Sequence, residues 1–79
     1  MLPYATPAST AALICGLSAR SFRHRVVEPG LVERDGSKIV LASLERHLGE
    51  PITIERFLRA DRARDAARAA QRLYRKGNH

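Results

Sequence analysis

Tryptophan is absent from this 79-residue chain, and two tyrosines and two phenylalanines are its only aromatic residues. Cysteine occurs once, at Cys15, so no internal disulfide can staple the fold. A lone thiol fits a reducing cytoplasm, and Cys15 reads as a small buried apolar residue. The histidines His24, His47 and His79 show no ligand spacing to one another or to Cys15. That excludes a metal site, and no cofactor is expected. No run of 18 apolar residues exists, so a membrane-spanning helix is excluded. The opening stretch MLPYATPASTAALICGL lacks the basic segment of a secretory signal and is expected to belong to the fold. Nothing resembles a nucleophile–base set, a catalytic carboxylate pair or a phosphate-cradling glycine loop, so an enzyme is not expected. Asp61 and Asp65 share a helix face among arginines and read as surface ion pairs.

What remains is a small, basic chain. Its net charge is +6 and its pI about 10.7, a balance that points to polyanions. The charge is unevenly spread. Residues 1–19 carry none, whereas Arg62, Arg64, Arg68, Arg72, Arg75 and Lys76 face Asp65 alone at the other end. At this length one domain is the limit, and its core must be thin.

Local signals divide the chain into short elements. Thr6-Pro7 reads as a helix start, with threonine capping and proline in the first turn. The first helix is expected over about Pro7–Cys15, with Ala12 and Leu13, joined by Ala8 and Cys15, facing inward. Gly16 ends it. Ser18 caps a second helix to about Val27, in which Phe22 and Val26 point inward together. Glu28-Pro29-Gly30 breaks that helix. Leu31–Arg34 and Lys38–Leu41 are β-prone runs around Asp35-Gly36-Ser37, a hairpin signal, with Ile39 and Leu41 on the packing face. A third helix is expected over about Ala42–Leu48, with Leu44 and Leu48 inward and Gly49 and Pro51 as stops. Thr53 caps a fourth from Ile54, whose Ile54, Phe57 and Leu58 should dock on the domain. Asp61–Arg64 and Asp65–Arg68 are spaced for ion pairs along it, and Gly77-Asn78-His79 should fray.

The order helix, tight turn, helix, hairpin, helix resembles a known family. Residues 4–49, YATPASTAALICGLSARSFRHRVVEPGLVERDGSKIVLASLERHLG, are similar to the MerR/excisionase superfamily of winged helix-turn-helix domains. TP before the first helix, GLS at the turn, SARSFRHR as recognition helix, GLVERDG entering the wing and LASLERHL after it carry the likeness. The chain departs from that pattern at Ser9, where an acid is common, and at Arg25, where an aromatic is common. Its VVEPG linker is one residue longer, and its wing is lightly charged. The expected fold class is therefore mainly α with a small β-hairpin: a winged helix-turn-helix over residues 1–52, and a C-terminal Ala/Arg-rich helix over 53–79.

The resemblance implies that the second helix enters the major groove of double-stranded DNA. With Phe22 and Val26 inward, the opposite face carries Arg20, His24 and Val27, flanked by Ser21, Arg23 and Arg25. Arg20 is the first candidate for a base contact, since guanidinium pairs with guanine O6 and N7. Ser21 and His24 follow, Ser18 sits at the turn, and Arg23 and Arg25 suit phosphates. Arg34 and Lys38 on the hairpin either grip DNA or guard a strand edge. Arg20 also answers a local fault: a cation in a helix's first turn opposes its dipole, yet suits a groove.

In the last helix Arg64, Arg68, Arg72 and Lys76 recur every four residues, for phosphate contact or oligomerisation. Ala63, Ala66, Ala70 and Leu73, with Ala67 and Tyr74 beside them, form a seam suited to another helix. MerR-type regulators pair through such a helix, which implies a homodimer or a cooperative multimer on DNA; folding back on its own domain is the alternative. Lacking a ligand domain, the chain is expected to be a phage or mobile-element excisionase, partnered by an integrase, or a small transcriptional regulator. A small-terminase DNA-binding domain and a protein-interaction module using the last helix are the alternatives. The expected location is the cytoplasm, at the nucleoid.

Overall fold

The structure is a computed structural model that describes residues 1–77, with side chains through Tyr74. It is mainly helical, 61%, with a small three-stranded antiparallel sheet. In chain order the elements are β1 (Ala5–Pro7), α1 (Ala8–Ile14), α2 (Ala19–Phe22), β2 (Arg34–Asp35), β3 (Lys38–Val40), α3 (Leu41–Leu48) and α4 (Ile54–Gly77). A wider π turn, Arg23–Val27, continues α2 without a break. The expected fraying of Asn78 and His79 falls outside the described residues; Gly77 is still helical.

The first correction concerns Thr6-Pro7. Thr6 does not cap a helix but lies in β1 opposite Ile39, almost wholly buried. Helix α1 begins one residue later than expected, at Ala8, and Pro7 precedes it with no side-chain cap. A branched side chain buried on a pleated strand outweighs the ~1 kcal/mol a cap supplies. Pro7 is tolerated because β1 is an edge of the order β1-β3-β2, where a missing N–H costs nothing in the ladder.

The hairpin forms with a tighter loop than the β-prone runs suggested. Arg34 pairs with Ile39 and Asp35 with Lys38, which leaves Gly36-Ser37 as a two-residue connection. Gly36 has φ of 62°, a backbone state that a side chain disfavours and that such loops need. Val40, expected on the outer face, is buried along with Ile39 and Leu41, because β3 is the central strand and runs straight into α3.

Helix α1 is held on three sides. It packs on the sheet, on α2 across the Gly16 turn, and on the first half of α4. Thr10, Ala11, Ala12 and Ile14 are its buried residues, and Leu13 is exposed. Alanines at 11 and 12 let the neighbouring helices approach closely, while Leu13, expected inward, falls between them at the rim. Gly16, at φ 71°, reverses the chain so that Ser18 can start α2.

Val27 is the second correction. In an α-helix it would sit opposite Phe22, but in the π turn the Glu28 N–H reaches back five residues to the Arg23 carbonyl, 2.9 Å away. Residues five apart then come round to nearly the same side. Val27, five after Phe22, is accordingly half-buried and packed on the core with Val26.

Helix α4 starts where Thr53 predicts, and the Thr53 Oγ1 accepts the Arg56 N–H at 3.1 Å. Its anchors differ from expectation. Ile52 and Ala60 are buried and Phe57 half-buried, but Ile54 is 50% and Leu58 40% exposed. The domain offers α4 only one narrow face, and Ile54 and Leu58, four residues apart, fall together on one flank of it. Arg56 closes the joint: one guanidinium nitrogen donates to the Ile14 carbonyl at 2.9 Å and the other to Glu50 at 2.7 Å. The guanidinium thereby satisfies a carbonyl at the end of α1 that no helical N–H can reach.

Candidate nucleic-acid interface

Helix α2 is short, and three local features keep it in place. Ser18 stands in extended geometry before it, and its Oγ accepts the Ser21 N–H at 3.1 Å. Phe22 and Val26 then bury their side chains beneath the rod. Ser18 is therefore occupied as a cap. Replacing it with alanine should lower stability by about 0.5–2 kcal/mol, measured by thermal melting.

The outer side of the rod is cationic. Arg20, Arg23, His24 and Arg25 are all exposed, and Ser21 is half-covered on a flank. Among the described residues no carboxylate lies within 4 Å of Arg20 or Arg25. Glu28 takes the other two: its carboxylate is 2.9 Å from His24 Nδ1 and 3.9 Å from Arg23 Nε. All three side chains are more than half exposed, so this cluster is screened by water and easily exchanged for another anion.

The hairpin contributes one cation to this side and turns the other away. Residues directly opposite on paired strands share a face, so Arg34 lies on the side of Ile39 and Lys38 on the side of Asp35. Arg34, Gly36 and Ser37 form one wall of an open groove whose other wall is Arg23 and Val27. Lys38 is exposed beside Asp35 on the far face, away from Arg23. A chain of hydrogen bonds sets the hairpin's position. The Ser43 hydroxyl donates to the Val40 carbonyl at 2.7 Å and accepts the Glu33 N–H at 2.9 Å, tying both strands to α3. Arg46 adds a bond to Glu33 at 3.0 Å.

On α4 the four-residue basic repeat separates into different environments. Arg64 is not part of an open stripe: its side chain is only 18% exposed and lies 2.8 Å from Asp65 and 3.8 Å from Asp61. Asp61 also accepts from the Thr10 hydroxyl at 3.3 Å, which joins this cluster to α1. Asp65 thus pairs with Arg64 rather than with Arg68 as its spacing suggested. Arg68 and Arg72 are exposed, with no carboxylate within 4 Å among the described residues; the side chain of Lys76 lies outside them. The alanine seam, with Ala63, Ala66, Ala67, Ala70, Leu73 and Tyr74, is exposed along its whole length.

Arg56 is the functional-looking arginine that sequence reasoning passed over, and its job is structural. No local pattern signals a bond to a carbonyl 42 residues earlier. Cys15 beside it is half-buried; burial pushes its thiol pKa up, and the Arg56 charge opposes that shift. Such a thiol is a poor nucleophile at neutral pH. Among the described residues no helix is long and apolar enough to cross a membrane. No family model, curated protein or solved structure matches the chain.

Proposed function

We propose that this chain is a small sequence-specific protein that binds double-stranded DNA through a winged helix-turn-helix of the MerR/excisionase type. The observation that carries this reading is the groove that Arg23 of the α2 rod and Arg34 of the hairpin both line. Among the described residues, no carboxylate lies within 4 Å of Arg20 or Arg25 on the same rod. A rod held from beneath by Phe22 and Val26 can seat in a major groove, with Arg20 near its first turn directed at base edges. Arg23, Arg25 and Arg34 then hold phosphates on either side and fix the register, and His24 and Ser21 are placed for secondary contacts. In this arrangement α2 is the recognition helix and β2–β3 the wing. Lys38 grips backbone only from the outer face of that wing. The biological setting that suits so small a binder is that of an excisionase or small transcriptional regulator of a phage or mobile element.

The test is a mobility-shift assay on genomic fragments with excess competitor DNA. The wild-type chain is expected to give a specific complex. Arg20→Ala should weaken that complex by about 1–3 kcal/mol, roughly five- to 150-fold, while leaving residual non-specific binding. Far-UV circular dichroism of the variant should match the wild type, since the Arg20 side chain is exposed. Failure of the wild type to bind duplex DNA at low salt would falsify the proposal.

A further inference from the structure

The basic end of α4 is left unexplained by the core, and its placement is informative. Helix α4 runs past α1 and reaches the start of α2: Arg64, Ala67, Arg68 and Gln71 line one groove with Ser18 and Ala19. That is the end of α2 which carries Arg20. Arg64 lines this groove while paired with Asp61 and Asp65, and Arg68 and Gln71, four and seven residues on, continue the same helix face beyond it. Twenty-four residues at 1.5 Å each make α4 about 36 Å long, and the molecule measures 44 Å along its longest axis but 27 Å across. The second half of the helix, its described side chains all exposed, forms a cationic arm that lies beside the start of α2 as far as Gln71. Asp61 and Asp65, the acids nearest Arg68, are both engaged with Arg64.

From this placement we infer that α4 is a second DNA contact, in which Arg68 and Arg72 clamp backbone phosphates beside the N-terminal end of α2. The inference rests on the DNA-binding reading above and extends it to a surface that reads no bases. Arg68 and Arg72 are about 6 Å apart along the helix, a spacing that lets them take neighbouring phosphates of one strand. Two copies of the arm would bring like charges together, so charge complementarity favours a polyanion over a second chain.

The experiment measures affinity for the specific fragment across a salt series, for the wild type, the Arg68→Ala/Arg72→Ala double variant and the matching Arg→Lys double variant. Each lost phosphate contact should lower the log–log salt slope by about 0.9, so the alanine pair should lower it by about 1.8. The ratio of specific to non-specific affinity should stay unchanged, and the lysine pair should keep the wild-type slope. Alanine favours helix, so circular dichroism should show α4 intact. A wild-type slope in the alanine pair overturns the inference while leaving the Arg20 result standing, and assigns the arm to a protein partner or to solvent. If the wild type binds no duplex at all, both readings fall together.

Discussion

Phe22→Ala is expected to destabilise the domain by about 3–5 kcal/mol, the range for truncating a buried aromatic side chain. Phe22 is 1% exposed and is the largest fully buried side chain among the described residues. It lies under a helix of four residues, so little else could close over the space it leaves. Small domains typically hold about 5–15 kcal/mol in total, and this one, with a single cysteine, has no internal disulfide to fall back on. The loss should therefore leave a large unfolded fraction even without denaturant. Urea unfolding followed by far-UV circular dichroism measures it. Phe22→Leu, which keeps most of the apolar volume, should cost roughly 1–2 kcal/mol and preserve a two-state transition. A Phe22→Ala variant as stable as the wild type would mean that α2 is held by something other than its phenyl ring.

Phe22 was legible because its signals are local. A capping serine, an inward pair four residues apart and a glycine on the preceding turn all lie within twelve residues of GLSARSFRHRVV. The same holds for Gly49 behind α3 and Thr53 ahead of α4, where one residue fixes one boundary. Strand β1 was not legible for the opposite reason. Ala5-Thr6-Pro7 has no alternation long enough to read, and it is a strand only because Ile39, 33 residues later, supplies the partner. The π turn is intermediate. A turn whose bonds span five residues is where a helix accommodates one extra residue. Periodicity alone could not choose between that and a longer loop, and so put Val27 on the wrong face.

The candidate site divides along the same line. Once Phe22 and Val26 are inward, the exposure of Arg20, Arg23, His24 and Arg25 follows from helical geometry. That Arg34 rather than Lys38 meets Arg23 depends on the hairpin register, which a loop shift of one residue would reverse. On α4, Arg64, Arg68 and Arg72 recur at the same four-residue spacing, but only Arg64 has acids at both i−3 and i+1. Asp61 and Asp65, with Asp61 tied to α1 through Thr10, enclose Arg64 and leave Arg68 and Arg72 exposed.

Leu44→Ala should cost about 2–5 kcal/mol, and its consequences should spread to the hairpin. Leu44 is fully buried on α3, a helix of eight residues too short to persist in water without its packed face. Its neighbour Ser43 holds the Val40 carbonyl and the Glu33 N–H, and those bonds exist only while α3 sits against the core. Loosening α3 therefore leaves the buried Val40 carbonyl on β3 and the part-buried Glu33 N–H just before β2 without partners, and the buried carbonyl costs about 1–3 kcal/mol if it stays dry. Arg34 is carried on one of those strands, so the groove it forms with Arg23 depends on a leucine that touches no ligand. Leu48→Ala is the control, because Leu48 is only half-buried at the end of the same helix and should cost less than half as much. Urea unfolding ranks the two variants. Hydrogen exchange at the Glu33 and Val40 amides then tests the coupling: both should lose protection in Leu44→Ala and keep most of it in Leu48→Ala. Equal losses in the two variants would show that α3 works as a uniform apolar cover, with no single anchor holding the hairpin in place.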